Sequence, residues 1–452
     1  ESEKAIVASG GQKPEASSTQ VELIQHYSRF IALRTLVLNE IPLSGVEGSH
    51  VRMGQVLQAL VDAGHRITYV SRDNAWSWAM AKWVERSRAT GIHVIVGDHG
   101  LESLSSLGNF DLVIMAAWYW RCGSSSIPDL ATARLGVAHS QRMVVLSDDI
   151  HWIRAQQQQL LDSKCDLYTG PVKDRELRDY SRADMIVAVT EEDARTMRPY
   201  LHNDASAEQC VRHIPVIAKH TPILKSLLHS FSKRHTFLFV GSHHYGNQRA
   251  VHWLLDEMFP LLRSNVHHAE LHLVGAPEWK EFASNRPGVK GYGVVSDLTP
   301  FLKRARVMLV PNLVGGSGIS TKTMLALENG IPFITTTLGV TGVDADATPA
   351  AFRIADDPKA FADLAAQTYL HEQKWRSQIE AIRKHVSAHL STTKLARKVQ
   401  EMVFVIANDT CRSPRWTNAS LAARENHRLV RYQRQQEAKT NEHMNGGPRQ
   451  NN

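Results

Sequence analysis

From Arg34 onward the chain alternates two patterns. Short, continuous apolar runs recur as RTLVLNE (34–40), HRITYVS, IHVIVGD, DLVIMAAW, RMVVLSDD and DMIVAVT. These runs lack the apolar–polar alternation of a half-exposed strand, so each predicts a strand buried on both faces, as in a parallel sheet. Between the first two, Met53, Val56, Leu57, Leu60 and Val61 recur at helical spacing, and Gly64 follows as a stop. Strand and helix in repetition predict a doubly wound α/β domain. The pattern then restarts. A polar, basic connector, AKHTPILKSLLHSFSKRH (218–235), leads into TFLFVGS. A helical stripe follows (Val251, Leu254, Leu255, Met258, Phe259, Leu262), then the strand-like runs ELHLVGA, VKGYG, RVMLVPN and PFITTT. A last stripe, Leu395, Val399, Met402, Val403 and Ile406, predicts a late helix.

The predicted organisation is an irregular segment over 1–30 and a Rossmann-like domain over 31–218. A second Rossmann-like domain covers 236–390, a helix 391–410, and a basic, polar, disordered tail 411–452. The length of 452 residues suits two or three domains, and 43% hydrophobic residues suffice for sizeable cores. The charge is unevenly spread. Residues 412–452 hold eight Lys/Arg against three Asp/Glu, so +5 of the net +7 lies in the tail. The folded body therefore shows no basic face for nucleic acid. Cys122, Cys165, Cys210 and Cys411 are far apart in sequence, with no metal-ligand spacing, and reduced, buried thiols are the expectation. No apolar run reaches the length of a membrane span. A soluble chain is expected, in the cytoplasm by preference, or in an organelle lumen if a targeting segment has been removed.

Candidate chemistry starts at VPNLVGGSGISTKTMLALENGIPFITT (310–336). Glycines ahead of one lysine suggest a phosphate cradle. A P-loop requires Gly, four residues, then Gly-Lys-Ser/Thr, and here Thr321 replaces the second glycine. The next strand-like run carries no magnesium-binding carboxylate either. The plain alternative is a Gly-rich turn with one exposed lysine. Two tandem Rossmann-like domains set the carboxyl ends of both sheets across a cleft, where α/β ligands bind. The VGGSGISTK loop (314–322) is then cleft-lining, as is NEIPLSGVEGSHVR (39–52), where Gly45 and Gly48 permit close backbone approach. Neither loop is GxGxxG, so a dehydrogenase is the weaker reading.

Several segments resemble the GT-B glycosyltransferases of the group 1, or family-4, type. PLSGVEGSHVRMGQVLQALVDAGHRITYV is similar to that family's opening, and VVLSDDIHWIR to its Asp-X-His-X-X-Arg segment. SRADMIVAVTEED resembles its strand leading to a Thr/Ser-X-Glu turn. FVGSHHYGNQRAVHWLLDEMFPLL resembles the start of its nucleotide-binding domain, and YGVVSDLTPFLKRARVMLVPNLVGGSGISTKTMLALENGIPFITT its donor-site block. The likeness spans roughly residues 33–405. It implies a GT-B fold and a nucleotide sugar (UDP- or GDP-linked) held mainly by the second domain. A glycan, lipid or protein acceptor of unspecified kind would sit on the first. It implies retention of anomeric configuration, no metal and no cofactor. The implied donor-binding residues are Gly45, Gly48, Gly241, Ser242, Gly315, Gly316, Ser317, Gly318, Ile319 and Lys322. His151 and Asp149 are the implied catalytic candidates; the other reading of this segment is an Asp cap, with Asp148, His151 and Arg154 on one solvated helical face. Adjacent histidines (His243-His244, His267-His268) make poor chelates, and Trp118 and Trp120 read as core or rim.

The block departs from the family at three positions. Where the family often has two glutamates with seven residues between them, this chain has Ser317 and Leu325; a further acidic position is Thr341. Glu328, one turn beyond Leu325, is a candidate stand-in. These departures leave open an inactive GT-B binding or scaffold protein, and, more weakly, a phosphorylase or epimerase on the same fold.

Overall fold

The apolar runs form two parallel sheets. The structure is a computed structural model and describes residues 32–43, 48–75, 77–116, 126–135, 141–153, 171–201, 210–217, 231–315, 317–408 and 411. The first sheet contains β1 (Arg34–Asn39), β2 (Arg66–Ser71), β3 (His93–Val96), β4 (Leu112–Ala116), β5 (Arg142–Ser147), β6 (Met185–Ala188) and β7 (Val211–His213), ordered β3-β2-β1-β4-β5-β6-β7. The second contains β8 (Thr236–Val240), β9 (Leu271–Val274), β10 (Val289–Gly291), β11 (Ala305–Val310), β12 (Phe333–Thr335) and β13 (Arg353–Ile354), ordered β10-β9-β8-β11-β12-β13. Strands β7 and β13 are too short for a periodic signal, and the sequence pattern missed them. In each sheet the order reverses beside the first strand, between β1 and β4 and between β8 and β11. Such reversal points open the crevices in which α/β proteins bind ligands.

The helices that frame the cleft are α1 (Gly48–Asp62), α2 (Pro171–Tyr180), α3 (Glu191–Leu201), α4 (Tyr245–Trp253), α5 (Thr321–Glu328), α6 (Glu372–His389) and α7 (Thr392–Ala407). The burial of β1 shows why continuous apolar runs were needed. Val37 packs on one face with Val56 and Leu60 of α1, and Leu36 and Leu38 pack on the other with Met115 and Val145. Gly64 ends α1 with φ +87°, the left-handed stop its position suggested.

The late helix α7 returns to the first domain. Its stripe of Leu395, Val399, Met402, Val403 and Ile406 joins the core formed by Met53, Val56, Leu57 and Leu60 of α1. Each such side chain removed from water contributes roughly 1.5–3 kcal/mol. Apolar contact also runs between the domains, where Val189 and Val216 share a cluster with Val310, Met324, Ile382 and Leu390. No described helix is long and apolar enough to cross a membrane.

The expectation of reduced thiols is corrected at two positions. Cys210, just before β7, and Cys411, after α7, form a disulfide with Cα atoms 5.5 Å apart, although 201 residues separate them in sequence. Sequence spacing did not reveal the pair because only the return of α7 brings its partners together. Cys122 and Cys165 lie outside the described residues. Cross-linking so long a loop restricts the unfolded chain, and native disulfides typically contribute about 2–4 kcal/mol. Cys411→Ser should therefore lower the unfolding free energy by about 2–4 kcal/mol in non-reducing urea titrations. Reductant should abolish the wild type's advantage over the variant.

Candidate functional site

At the reversal point of the second sheet, β11 ends at Val310 and the glycine loop leads into α5. Both ends of the loop are pinned. The Ser320 side chain caps α5 by accepting from the Thr323 amide (3.3 Å), and Thr323 Oγ1 donates to the Gly339 carbonyl (2.6 Å). Thr336 Oγ1 accepts from the Asn312 amide (3.0 Å) and donates to the Asn312 carbonyl (2.7 Å). Between these pins lies a cavity of about 150 Å³ lined by Gly315, Ser317, Gly318, Ile319 and Lys322, with Asn247 and Thr341 opposite. A cavity of that size holds a benzene-sized group, so a phosphate group fits, and a whole nucleotide must extend beyond it. No carboxylate is among the described residues that line it.

Lys322 extends from the first turn of α5. Its ammonium donates to Asn247 Oδ1 (2.7 Å) and lies 5.9 Å from the centre of the Phe239 ring. Burial pushes its pKa down to about 8. A desolvated cation whose partner is a neutral amide, beside a helix N-terminus, favours an anion at this point. Asn247 is a site residue the sequence reading did not single out. Gly241 and Ser242 frame it rather than lining the cavity. Asn247 Nδ2 donates to the Ser242 carbonyl (2.9 Å), and a Cβ on Gly241 would come within 2.9 Å of the Asn247 side chain. His244 caps α4 by accepting from the Gly246 amide (3.2 Å) and lines the cavity, whereas His243 pairs with Glu278 (3.0 Å). Gly48 is the first residue of α1, a helical rather than a left-handed position. Gly45, Gly316, Arg154, Trp118 and Trp120 lie outside the described residues.

The first domain faces this loop with Asp148–His151. The helical-face reading of Asp148 and His151 is corrected: Asp148 and Asp149 occupy the bend after β5, and only His151 starts a helical turn. Asp148 Oδ1 pairs with Arg52 (2.9 Å), a guanidinium only 1% exposed that also donates to the carbonyls of Ser147, Val187 and Ile214. His151 Nδ1 lies 3.2 Å from Glu176 Oε1 and 3.4 Å from Asp149 Oδ1. Glu176, on α2, is fully buried and accepts from the amides of His151 and Trp152 (both 3.1 Å) and from the Tyr180 hydroxyl (2.6 Å). Burial first, and then the Glu176 charge, push the Tyr180 phenol well above its ordinary value. The sequence offered one clue to Glu176, a tyrosine four residues on in an otherwise polar helix.

The two sides meet. Ser317 Oγ accepts from the Ile150 amide (2.6 Å), and the Gly318 amide donates to Asp193 of α3 (3.0 Å). Gly318 has φ +79°, and a Cβ there would lie 3.1 Å from both the Asp148 carbonyl and Asp149. Leu325 packs into the apolar cluster behind α5, while Thr341 lines the cavity. Among the described residues no group of three or more His, Cys, Asp or Glu is arranged to hold a metal.

Two parallel Rossmann-like domains closing on a glycine loop with a desolvated lysine define the GT-B fold. Residues 234–371 match the family described as Glycosyl transferases group 1, a stretch that contains the donor-site block. Similar solved structures include a glycosyltransferase from Rickettsia africae ESF-5, 13% identical with a TM-score of 0.56, covering 83% of this chain and 99% of that one. Anabaena Alr3699/HepE in complex with UDP-glucose is 10% identical, with a TM-score of 0.57 and coverage of 82% and 99%. TarM is 7% identical, with a TM-score of 0.62 and coverage of 83% and 99%. At these identities the likeness is one of fold. No curated protein matches the sequence.

Truncating Glu176 should show how firmly His151 is held. Glu176→Ala leaves the amides of His151 and Trp152 and the Tyr180 hydroxyl without their acceptor, at a cost of about 1–3 kcal/mol for each donor that stays buried and unpaired. Urea unfolding should report a loss in that range or above it. A loss below 1 kcal/mol would show that water or another group replaces the carboxylate.

Proposed function

We propose that the chain transfers a sugar from a nucleotide-sugar donor to a hydroxyl acceptor, with retention and without a metal ion. The observation that carries this reading is the cation at the second-domain reversal point. Lys322 is desolvated, bonded to a neutral amide, and set beside a cavity without described carboxylates. The departing nucleoside diphosphate needs its growing negative charge stabilised, and a fixed cation together with the N-terminus of α5 supplies that. The UDP-glucose complex of a protein with this fold supports a nucleotide-sugar donor.

The first-domain groups act on the acceptor side. Carboxylates flank Nδ1 of His151, which favours the tautomer with its proton on Nδ1 and its lone pair on Nε2. In a retaining transfer the departing phosphate accepts the acceptor's proton, so His151 orients the acceptor or the sugar. Closure of the cleft excludes water, which would otherwise hydrolyse the donor. A second reading, a nucleotide-binding GT-B protein without transferase activity, is favoured by one set of observations: Leu325 packs in the core and Thr341 stands at the remaining acidic position. Assay of sugar transfer and of donor hydrolysis with UDP- and GDP-sugars separates the two.

Lys322→Ala should weaken UDP or GDP binding by about 1–3 kcal/mol in calorimetry, the scale of a charge-assisted hydrogen bond. Affinity for the wild type should fall as pH rises through about 8, where the free protein's ammonium loses its proton. The alanine variant should show no such step. A chelator should leave the binding of either nucleotide unchanged. His151→Ala should slow transfer strongly with nucleotide affinity nearly unchanged; full turnover in that variant would remove the imidazole from the site.

A further inference from the structure

We propose that Asp193, a residue of the first domain, is the positioning group for the second domain's donor loop, so that the phosphate cradle is complete only while the two domains are together. The inference rests on the reading that this loop holds a nucleoside diphosphate.

The loop is built of small residues, and glycine-rich backbone has many conformations to lose on becoming ordered. Its shape must therefore be imposed from outside. Two consecutive residues are held by the opposite domain. Ser317 Oγ accepts from the Ile150 amide (2.6 Å) and lies 3.4 Å from its carbonyl, and the Gly318 amide donates to Asp193 Oδ2 (3.0 Å). Asp193 is itself fixed. It is 2% exposed, and its own amide donates to Thr190 Oγ1 (2.9 Å) at the start of α3. The Thr190–Asp193 turn also presses on a second loop of the donor domain. Gly342 has φ +77°, and a Cβ on it would collide with the Thr190 methyl. The Thr190–Asp193 turn thus touches both donor-domain loops, Gly318 through a hydrogen bond and Gly342 through the Thr190 methyl, which leaves no room for a side chain there.

Burial raises the Asp193 carboxyl to about 6. Burial penalises the ionised carboxyl there, and the Thr190 side chain, the Gly318 amide and the Arg52 charge each offset part of that penalty. Of these partners, the Gly318 amide lies 125 residues away in the other domain. The buried carboxylate beside the loop thus comes from the opposite domain. With the Gly318 amide engaged by Asp193, the anion is left to Lys322 and the N-terminus of α5.

The alternative role, a carboxylate that competes with phosphate for the loop, predicts the opposite sign. Calorimetry with UDP and with GDP on wild type, Asp193→Ala and Asp193→Asn distinguishes them. Asp193→Ala is expected to weaken nucleotide binding tenfold or more, and Asp193→Asn, which keeps an oxygen acceptor in place, to restore most of it. Unchanged or tighter binding in Asp193→Ala would overturn the proposal. Amide hydrogen exchange at Gly318 without nucleotide supplies the ligand-free reading. It should accelerate at least tenfold in Asp193→Ala and return toward the wild-type rate in Asp193→Asn; an unchanged rate in Asp193→Ala would overturn the contact itself. If wild type binds neither nucleotide, the diphosphate reading fails, and the exchange rate still decides whether Asp193 orders the loop. Should Asp193→Ala not fold, Asp193→Asn and Asp193→Glu decide. Near-wild-type exchange and affinity in the first, with faster exchange and weaker binding in the second, uphold the role; equal behaviour of the two overturns it.

Discussion

One buried guanidinium organises the first-domain side of the cleft. Arg52, at the start of α1, reaches the carbonyls of Ser147, Val187 and Ile214 and the carboxylate of Asp148. Those carbonyls belong to the last residue of β5, to Val187 within β6 and to the residue just after β7, so one side chain ties three neighbouring strands together. A fixed fork of five donors suits the task, and an ammonium would not span it. The bend of Asp148 and Asp149 follows directly from that anchor. So does the placement of His151 and the stretch of backbone that receives Ser317 from the opposite domain.

Charge is handled differently on the two sides. The first domain pairs its buried ions: Arg52 with Asp148, and Arg72 with Glu40 (3.2 Å). Glu176 gathers backbone and hydroxyl donors instead of a cation partner of comparable burial. In the second domain Lys322 is satisfied by an amide oxygen and an aromatic face. Buried ions with good partners are structural, whereas an under-neutralised one is the usual mark of a binding point. The contrast supports the proposed division, with the anion on the second-domain wall and the acceptor on the first.

Much of this was legible in the residues. Runs such as RTLVLNE and RMVVLSDD declared doubly covered strands, and the α1 and α7 stripes appear where their spacing put them. The glycine loop and Lys322 stood out as candidates because a cradle requires small residues and a cation in a fixed local order, and they do line one cavity. Asn247, Glu176 and Asp193 were not, since each acts through a partner distant in sequence: Lys322, His151 and Gly318. A polar residue on an amphipathic helix looks the same whether it faces water or a buried amide. The disulfide was hidden for the same reason. Its partners meet only after the last helix has crossed back to the first domain.

That crossing changes how the halves can move. The chain leaves the first domain after β7 and comes back between α6 and α7, and the Cys210–Cys411 bond closes the circuit on the first-domain side. The second domain is therefore carried like a door on two posts rather than swinging on a single tether. Two attachment points define an axis, so rotation about that axis stays soft while twisting and sliding across it are resisted. A rotation confined to that axis would bring Gly318 to Asp193 in one register, without a search over orientations.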